Sequence, residues 1–309
     1  MREVVDLHVD TFSRLVGEGG EWTGAREDLS VDLPRCREGG VRLLCCACWV
    51  PDDDPTPAVS VDRMLDRMEA LDRDAATPLR QVRSPAELRA LGEGELGILP
   101  TIENARSLEG SVERVDDLAA RGVRILGVTW NGANELATGC GVSETGGLTR
   151  FGREAIERAA ARGMAIDISH LNREGVAALL PLGVPTLATH SNARALHDHP
   201  RNLDDDQLVA LAAADGLVGL NLYPPFLGAG EVSLSCFVSH ARHVADLIGA
   251  AHLALGSDLD GIDRTPRGFR DHRDLPALAD ALAAGGFTPT EIDGILGANF
   301  LAWWERRLP

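Results

Sequence analysis

Eight short apolar runs, each ending on or beside a polar residue, constrain the fold of this 309-residue chain more than any other feature. They cover residues 4–10, 41–50, 97–103, 123–130, 164–170, 184–190, 216–223 and 253–258, and amphipathic stretches separate most of them. Near-continuous apolar strands alternating with helices are the pattern of a parallel sheet buried on both faces. The expected fold is therefore α/β, a parallel (β/α)8 TIM barrel. Barrels of this length form one domain, so residues 1–309 are expected to make a single unit, with long loops after the first and fourth strands and a closing C-terminal helix. Cap signals support the helices: Ser84-Pro85-Ala86-Glu87 and Thr288-Pro289 set a hydroxyl at the N-cap and proline just inside the first turn. The Gly- and Glu-rich stretch 17–30 has little periodicity and reads as a loop or lid.

The polar ends of these runs carry the chemistry. Val4-Val5-Asp6-Leu7-His8-Val9-Asp10 holds a histidine and a carboxylate two residues apart. Strand alternation turns both to one face, roughly 7 Å apart along the backbone. Burying that pair has a large desolvation cost, which a divalent cation would offset. Glu103 closes the third run, His170 the fifth, His190 the sixth and Asp258 the eighth. In a barrel every C-terminal strand end opens on the same face, so these residues converge whatever their separation in sequence. Taken singly, His170 reads as a core histidine and Glu103 as a helix N-terminal carboxylate; the agreement of all of them is what points to a site. Three imidazoles with carboxylates suit zinc better than magnesium. Five ligands exceed the three that one catalytic zinc takes from protein, so two divalent ions sharing a bridging carboxylate are expected, with Zn2+ the leading candidate. A bound water whose pKa falls to about 7 then makes metal-assisted hydrolysis the implied reaction.

Other histidines compete. His197 and His199 lie in a Pro-flanked loop, His240 and His243 sit three apart on a helix as a surface pair or subunit contact, and His252 and His272 show no partner pattern; none of them is expected to bind catalytic metal. Cys36, Cys45, Cys46 and Cys48 cluster in or beside an apolar strand without a disulfide-like or zinc-like spacing, and read as small buried hydrophobes. A net charge of −17 with pI ≈ 4.9 argues against nucleic acid and anionic membranes as partners. No run approaches the apolar length of a membrane helix. Among macromolecular partners, at most a second copy of the chain, in a homodimer, is expected.

Together these residues resemble the membrane (renal) dipeptidase family of zinc peptidases, among the amidohydrolase-like metal barrels. Asp6-Leu7-His8-Val9-Asp10 is similar to that family's opening motif. Gly147-Leu148-Thr149-Arg150-Phe151-Gly152 and Asp167-Ile168-Ser169-His170 are similar to its central block. Thr189-His190-Ser191-Asn192-Ala193-Arg194, His199-Pro200-Arg201-Asn202-Leu203 and Gly256-Ser257-Asp258-Leu259-Asp260-Gly261 resemble its later ones. The resemblance implies that His8, Asp10 and Glu103 hold one zinc and that Glu103, His170 and His190 hold the other, with Glu103 bridging and catalytic. It further implies that Arg201 binds the terminal carboxylate of a dipeptide, that Tyr223 lines the pocket, and that Asp258 handles protons at the bridging water and the substrate amine. Mammalian members carry Thr-His at the end of strand four, where this chain reads Thr129-Trp130-Asn131. Trp130 has one donor and no acceptor, which bears on substrate range more than on metal chemistry. Neither a secretion signal nor a lipid-anchor tail is evident, so a soluble, cytoplasmic, bacterial-type relative is expected. Two other readings stay open: another amide or lactone hydrolase on the same barrel, and a metal-binding protein without turnover.

Overall fold

The computed structural model describes residues 3–18 and 22–308. Nine strands form the sheet: β1 Val4–Val9, β2 Val41–Trp49, β3 Leu79–Gln81, β4 Leu96–Glu103, β5 Ile125–Gly127, β6 Ala165–Asp167, β7 Thr186–Ala188, β8 Leu217–Leu220 and β9 Leu253–Leu255. Every pairing is parallel, in the order β2-β1-β9-β8-β7-β6-β5-β4-β3, and β2 also pairs with β4 along Leu43–Trp49 and Gly97–Glu103. That last pairing closes an eight-stranded barrel, with β3 left as an extra edge strand on the start of β4. The expected TIM barrel is therefore the observed one.

Alternation along the strands divides the core in two. Val5 and Leu7 of β1, Leu43 and Cys45 of β2, Leu99, Ile125, Ala165, Leu187, Leu217 and Ala254 share one cluster with Phe300, Trp303 and Trp304 of the C-terminal helix Asn299–Arg307. That helix plugs the barrel opposite the strands' C-terminal ends. Residues of the other parity, such as Leu44, Cys46 and Cys48, pack outward against helices Pro57–Arg73 and Leu33–Gly39. The clustered cysteines are free and buried, as their apolar setting implies.

One irregularity positions the first metal-ligand candidate. Asp6 pairs with Leu44 and Val9 with Cys46, so three residues of β1 span two of β2. A bulge of this kind re-aims side chains. Here it lets Leu7 of the inner cluster be followed directly by His8 at the mouth.

Several elements differ from expectation. Strands β5, β6, β7 and β9 stop after three residues each; their apolar runs continue as buried loop rather than as ladder. Helices Thr11–Glu18 and Leu33–Gly39 lie where no helix is expected from the sequence. The second is capped by Asp32, whose carboxylate accepts from Arg35 N, and closes on Gly40 at φ 73°. Residues 19–21 of the expected loop or lid lie outside the described residues. No helix among the described residues is long and apolar enough to cross a membrane.

Candidate active site

The C-terminal mouth gathers His8, Asp10, Glu103, His170, His190 and Asp258, all buried or nearly so. Their ligand atoms form three overlapping groups, His8–Asp10–Glu103, Glu103–His170–His190 and His8–His190–Asp258, each within 4.8 Å. Two of the six have a left-handed backbone. His170 has φ 71° and Asp258 φ 64°, a left-handed conformation that His and Asp tolerate better than most residues but that still costs of order 1–3 kcal/mol each. Strain of that size is kept where a fixed side-chain direction matters.

Glu103 sits at the centre. Its Oε2 lies 3.2 Å from His8 Nε2, while its Oε1 lies 2.8 Å from His170 Nε2 and 3.8 Å from His190 Nε2. Asp10 Oδ2 is 3.5 Å from the same His8 nitrogen, and Asp10 Oδ1 is buried without a hydrogen-bond partner. On the other side the proton count is revealing. His170 Nδ1 faces Asn131 Oδ1, an acceptor, at 3.0 Å, so Nδ1 carries the proton and Nε2 offers a lone pair. His190 Nδ1 meets Thr189 Oγ1 at 2.7 Å, and that hydroxyl donates to Asp167 Oδ2. His190 therefore also turns a bare Nε2 inward, 3.0 Å from that of His170. Two imidazole lone pairs and Glu103 Oε1 meet with no proton between them, an arrangement that a cation resolves and that fits a metal well.

Without metal, protons stand in for it. Burial works against charge on His8, but Glu103 and Asp10 outweigh it and hold its pKa well above the ordinary imidazole value. Burial and Glu103 push Asp10 up to about 8. Glu103 is also buried, yet the charge on His8 keeps it below the usual carboxylate range. Burial and Arg201 lower His170 to about 4, and burial with His8 keeps His190 well below its ordinary value. Burial lifts Asp258 to about 6 against the pull of His8.

The mouth opens into a pocket of about 410 Å³ lined by Asp10, Glu103, Trp130, His170, Arg201, Tyr223 and Asp258, with Trp49, Phe226 and Arg14 around them. Arg201 is buried, its Nη2 donates to His190 O at 3.2 Å, and its Nε has no partner. Its guanidinium lies 5.4 Å from the centre of the Phe226 ring. Trp130 stands edge-on to Trp49 at 5.2 Å, and Tyr223 edge-on to Phe226 at 4.9 Å.

Every site residue read from the sequence reaches this pocket or its floor. The sequence reading missed the supporting groups. Asn221 Nδ2 donates to Asp258 Oδ2 at 2.8 Å, and Asp167, Thr189 and Asn131 hold the histidines. Asn221 and Asp167 are polar residues at the C-terminal ends of β8 and β6, the same signal that picked out the ligands. His272 does have a partner: it is buried and its Nε2 lies 2.8 Å from Asp6 Oδ2, which also accepts from Ser257. His240 is no surface or subunit contact either; it is buried, accepts from Ala193 N and bonds Leu227 O. Its polar strut role follows from the turn Ala193–Leu203, which no spacing in the sequence reveals.

Fold and mouth together define the class, a hydrolase barrel of the metal-dependent kind. The chain belongs to the membrane dipeptidase family (peptidase family M19), whose model matches residues 2–307. It is 35% identical over 240 residues to an uncharacterized protein of the pqqA 5′ region of Klebsiella pneumoniae, covering 74% of this chain and 88% of that one. It is 29% identical to the dipeptidase aclJ of Aspergillus oryzae, over 88% of this chain and 68% of that one. Among solved structures, a metallopeptidase from Rhodobacter sphaeroides liganded with a phosphinate mimic of L-Ala-D-Ala superposes with TM-score 0.92 at 27% identity, covering 99% of both chains.

Proposed function

We propose that this chain is a binuclear zinc dipeptidase that cleaves the amide bond of dipeptides with a free C-terminal carboxylate. The observation that carries the reading is the divided Glu103 carboxylate, one oxygen toward His8 and the other toward His170 and His190. In this reading His8, Asp10 and Glu103 hold one ion, and Glu103, His170 and His190 the other. Bound there, two ions polarise a carbonyl and supply a hydroxide nucleophile near neutral pH.

The protein's own side chains do the rest. Arg201, a buried guanidinium with an unused Nε, clamps the substrate carboxylate through its planar fork. Asp258, a carboxylate at the mouth beside His8 and His190, takes up the proton of the attacking water and passes it to the departing amine. Asn221 holds that carboxylate in place. Tyr223 and the Trp49–Trp130 pair line the space for substrate side chains. The dipeptide mimic bound by the Rhodobacter relative supports a substrate of this size. The direct test offers zinc-loaded protein a panel of dipeptides, their C-terminally amidated forms, simple amides and lactones. Turnover of free dipeptides above the others is expected; turnover of lactones or simple amides alone would contradict the assignment.

A pH effect arises from the same protons. Asp10 is raised from 3.8 to about 8 and His8 is raised above 6.5, so their contribution to metal-free stability is full below their unfolded pKa values and is lost as pH climbs through the folded ones. Metal must displace those protons. Its affinity should therefore rise from pH 6 to 8, by about tenfold per pH unit for each proton displaced. The gap in Tm between zinc-loaded and zinc-free protein should widen over that range; a gap that is flat or narrows would show that metal displaces none of these protons.

A further inference from the structure

We propose that Thr189 is a positioning residue shared by both metal sites, its single hydroxyl holding His8 and His190 at once so that each turns Nε2 to an ion. This rests on the two-ion reading above and adds to it a link between the sites besides Glu103.

A threonine hydroxyl has one proton to give and two lone pairs to accept with. Thr189 Oγ1 lies 2.5 Å from Asp167 Oδ2, the short distance of a hydroxyl donating to a carboxylate. Asp167 cannot turn away, because its Oδ1 accepts from Thr189 N and Ser169 N, both at 2.9 Å. Burial raises the Asp167 carboxyl, and these same donors pull it back. With its proton committed, the hydroxyl has two acceptor positions left, and two imidazole nitrogens fill them: His190 Nδ1 at 2.7 Å and His8 Nδ1 at 3.3 Å. Both nitrogens must then carry protons, which fixes both tautomers and leaves both Nε2 atoms as ligands. The two rings are also in tilted contact, 3.7 Å between centroids at 36°, so a shift in one disturbs the other.

The backbone supports the same conclusion. Thr189 follows β7 directly, and its carbonyl runs so close to Gly219 and Gly256 that a side chain on either would collide with it. Two neighbouring strand segments thus have glycine where Thr189 passes. His190 N is in turn fixed by Ser169 Oγ at 3.1 Å. Thr189 is held from three sides, and it is buried outside the residues that line the pocket.

The test compares Thr189→Val, which keeps the shape without the hydroxyl, with Thr189→Ser, which keeps the hydroxyl. Zinc stoichiometry and affinity are measured by chelator competition, and Tm is measured on the metal-free proteins. Loss of a partner of this kind lowers metal affinity by about 10–100-fold. Thr189→Val should weaken both ions together by that factor, and Thr189→Ser should bind near wild type. Unchanged affinity in Thr189→Val, or weakening of one ion alone, would overturn the proposal. Should Thr189→Val fail to fold, proton–nitrogen NMR of zinc-loaded wild type decides: His8 and His190 should each show an exchange-protected Nδ1–H, and absence of either overturns it. If wild type itself fails to bind two ions, the two-ion reading fails first, and the two failures stay distinct.

Discussion

Replacing Asp258 by Asn should lower kcat by roughly 10²–10⁴-fold, the usual contribution of a general acid-base group, while metal content and fold stay intact. The substitution is close to isosteric, and Asn shares with Asp the tolerance for the left-handed backbone that position 258 adopts at φ 64°. What it loses is the ability to take and return a proton. Asp258 also comes within ligand reach of His8 and His190, so a metal-holding role is the natural rival. It predicts a different result: zinc would leave with the carboxylate. A purely structural role predicts a third, a lowered Tm with kcat within a few-fold of normal. Measuring kcat, bound zinc and Tm on one preparation separates the three outcomes, and near-normal kcat with full metal would refute the catalytic role.

Arg201→Ala should reduce kcat/KM for free dipeptides by about 30- to 4,000-fold, because removing one partner of a buried charge pair costs roughly 2–5 kcal/mol. The guanidinium is buried, its Nε is unpartnered, and its Nη2 donates to His190 O. A charge so placed invites an anion from outside. C-terminally amidated dipeptides never had that anion, so their poorer rates should change little. Equal losses on both substrate series would mean that Arg201 supports the pocket through Phe226 and the His190 carbonyl rather than by clamping a carboxylate.

The sequence carried the barrel and the six converging residues because both follow from one rule. Apolar runs buried on two faces mark parallel strands, and a polar residue ending such a run lies at the common mouth. The same rule extends to Asp167 and Asn221, at the ends of β6 and β8. Strand ends were misjudged where the chain leaves the ladder but stays buried, since an apolar run looks the same on either side of the last ladder bond. His170 and Asp258 lie beyond β6 and β9 in left-handed conformations that no periodicity announces. Helix Leu33–Gly39 was missed because it buries only Leu33 and Cys36, too few positions to show a 3.6-residue repeat, although its Asp32 cap, Pro34 and closing Gly40 were all present. The Asp6–His272 pair joins residues 266 apart in the chain, and nothing local links them.

The most direct test of the two-ion dipeptidase is a metal count on wild type and Glu103→Ala, with each ion titrated back while activity toward a free dipeptide is followed. Glu103 divides its oxygens between His8 and the His170–His190 pair, so one substitution should disturb both sites. Close to two zinc ions per wild-type chain are expected, with activity that needs both, and joint loss of the two ions and of turnover in Glu103→Ala. A single tightly held ion that gives full activity, with no gain from a second, would contradict the assignment.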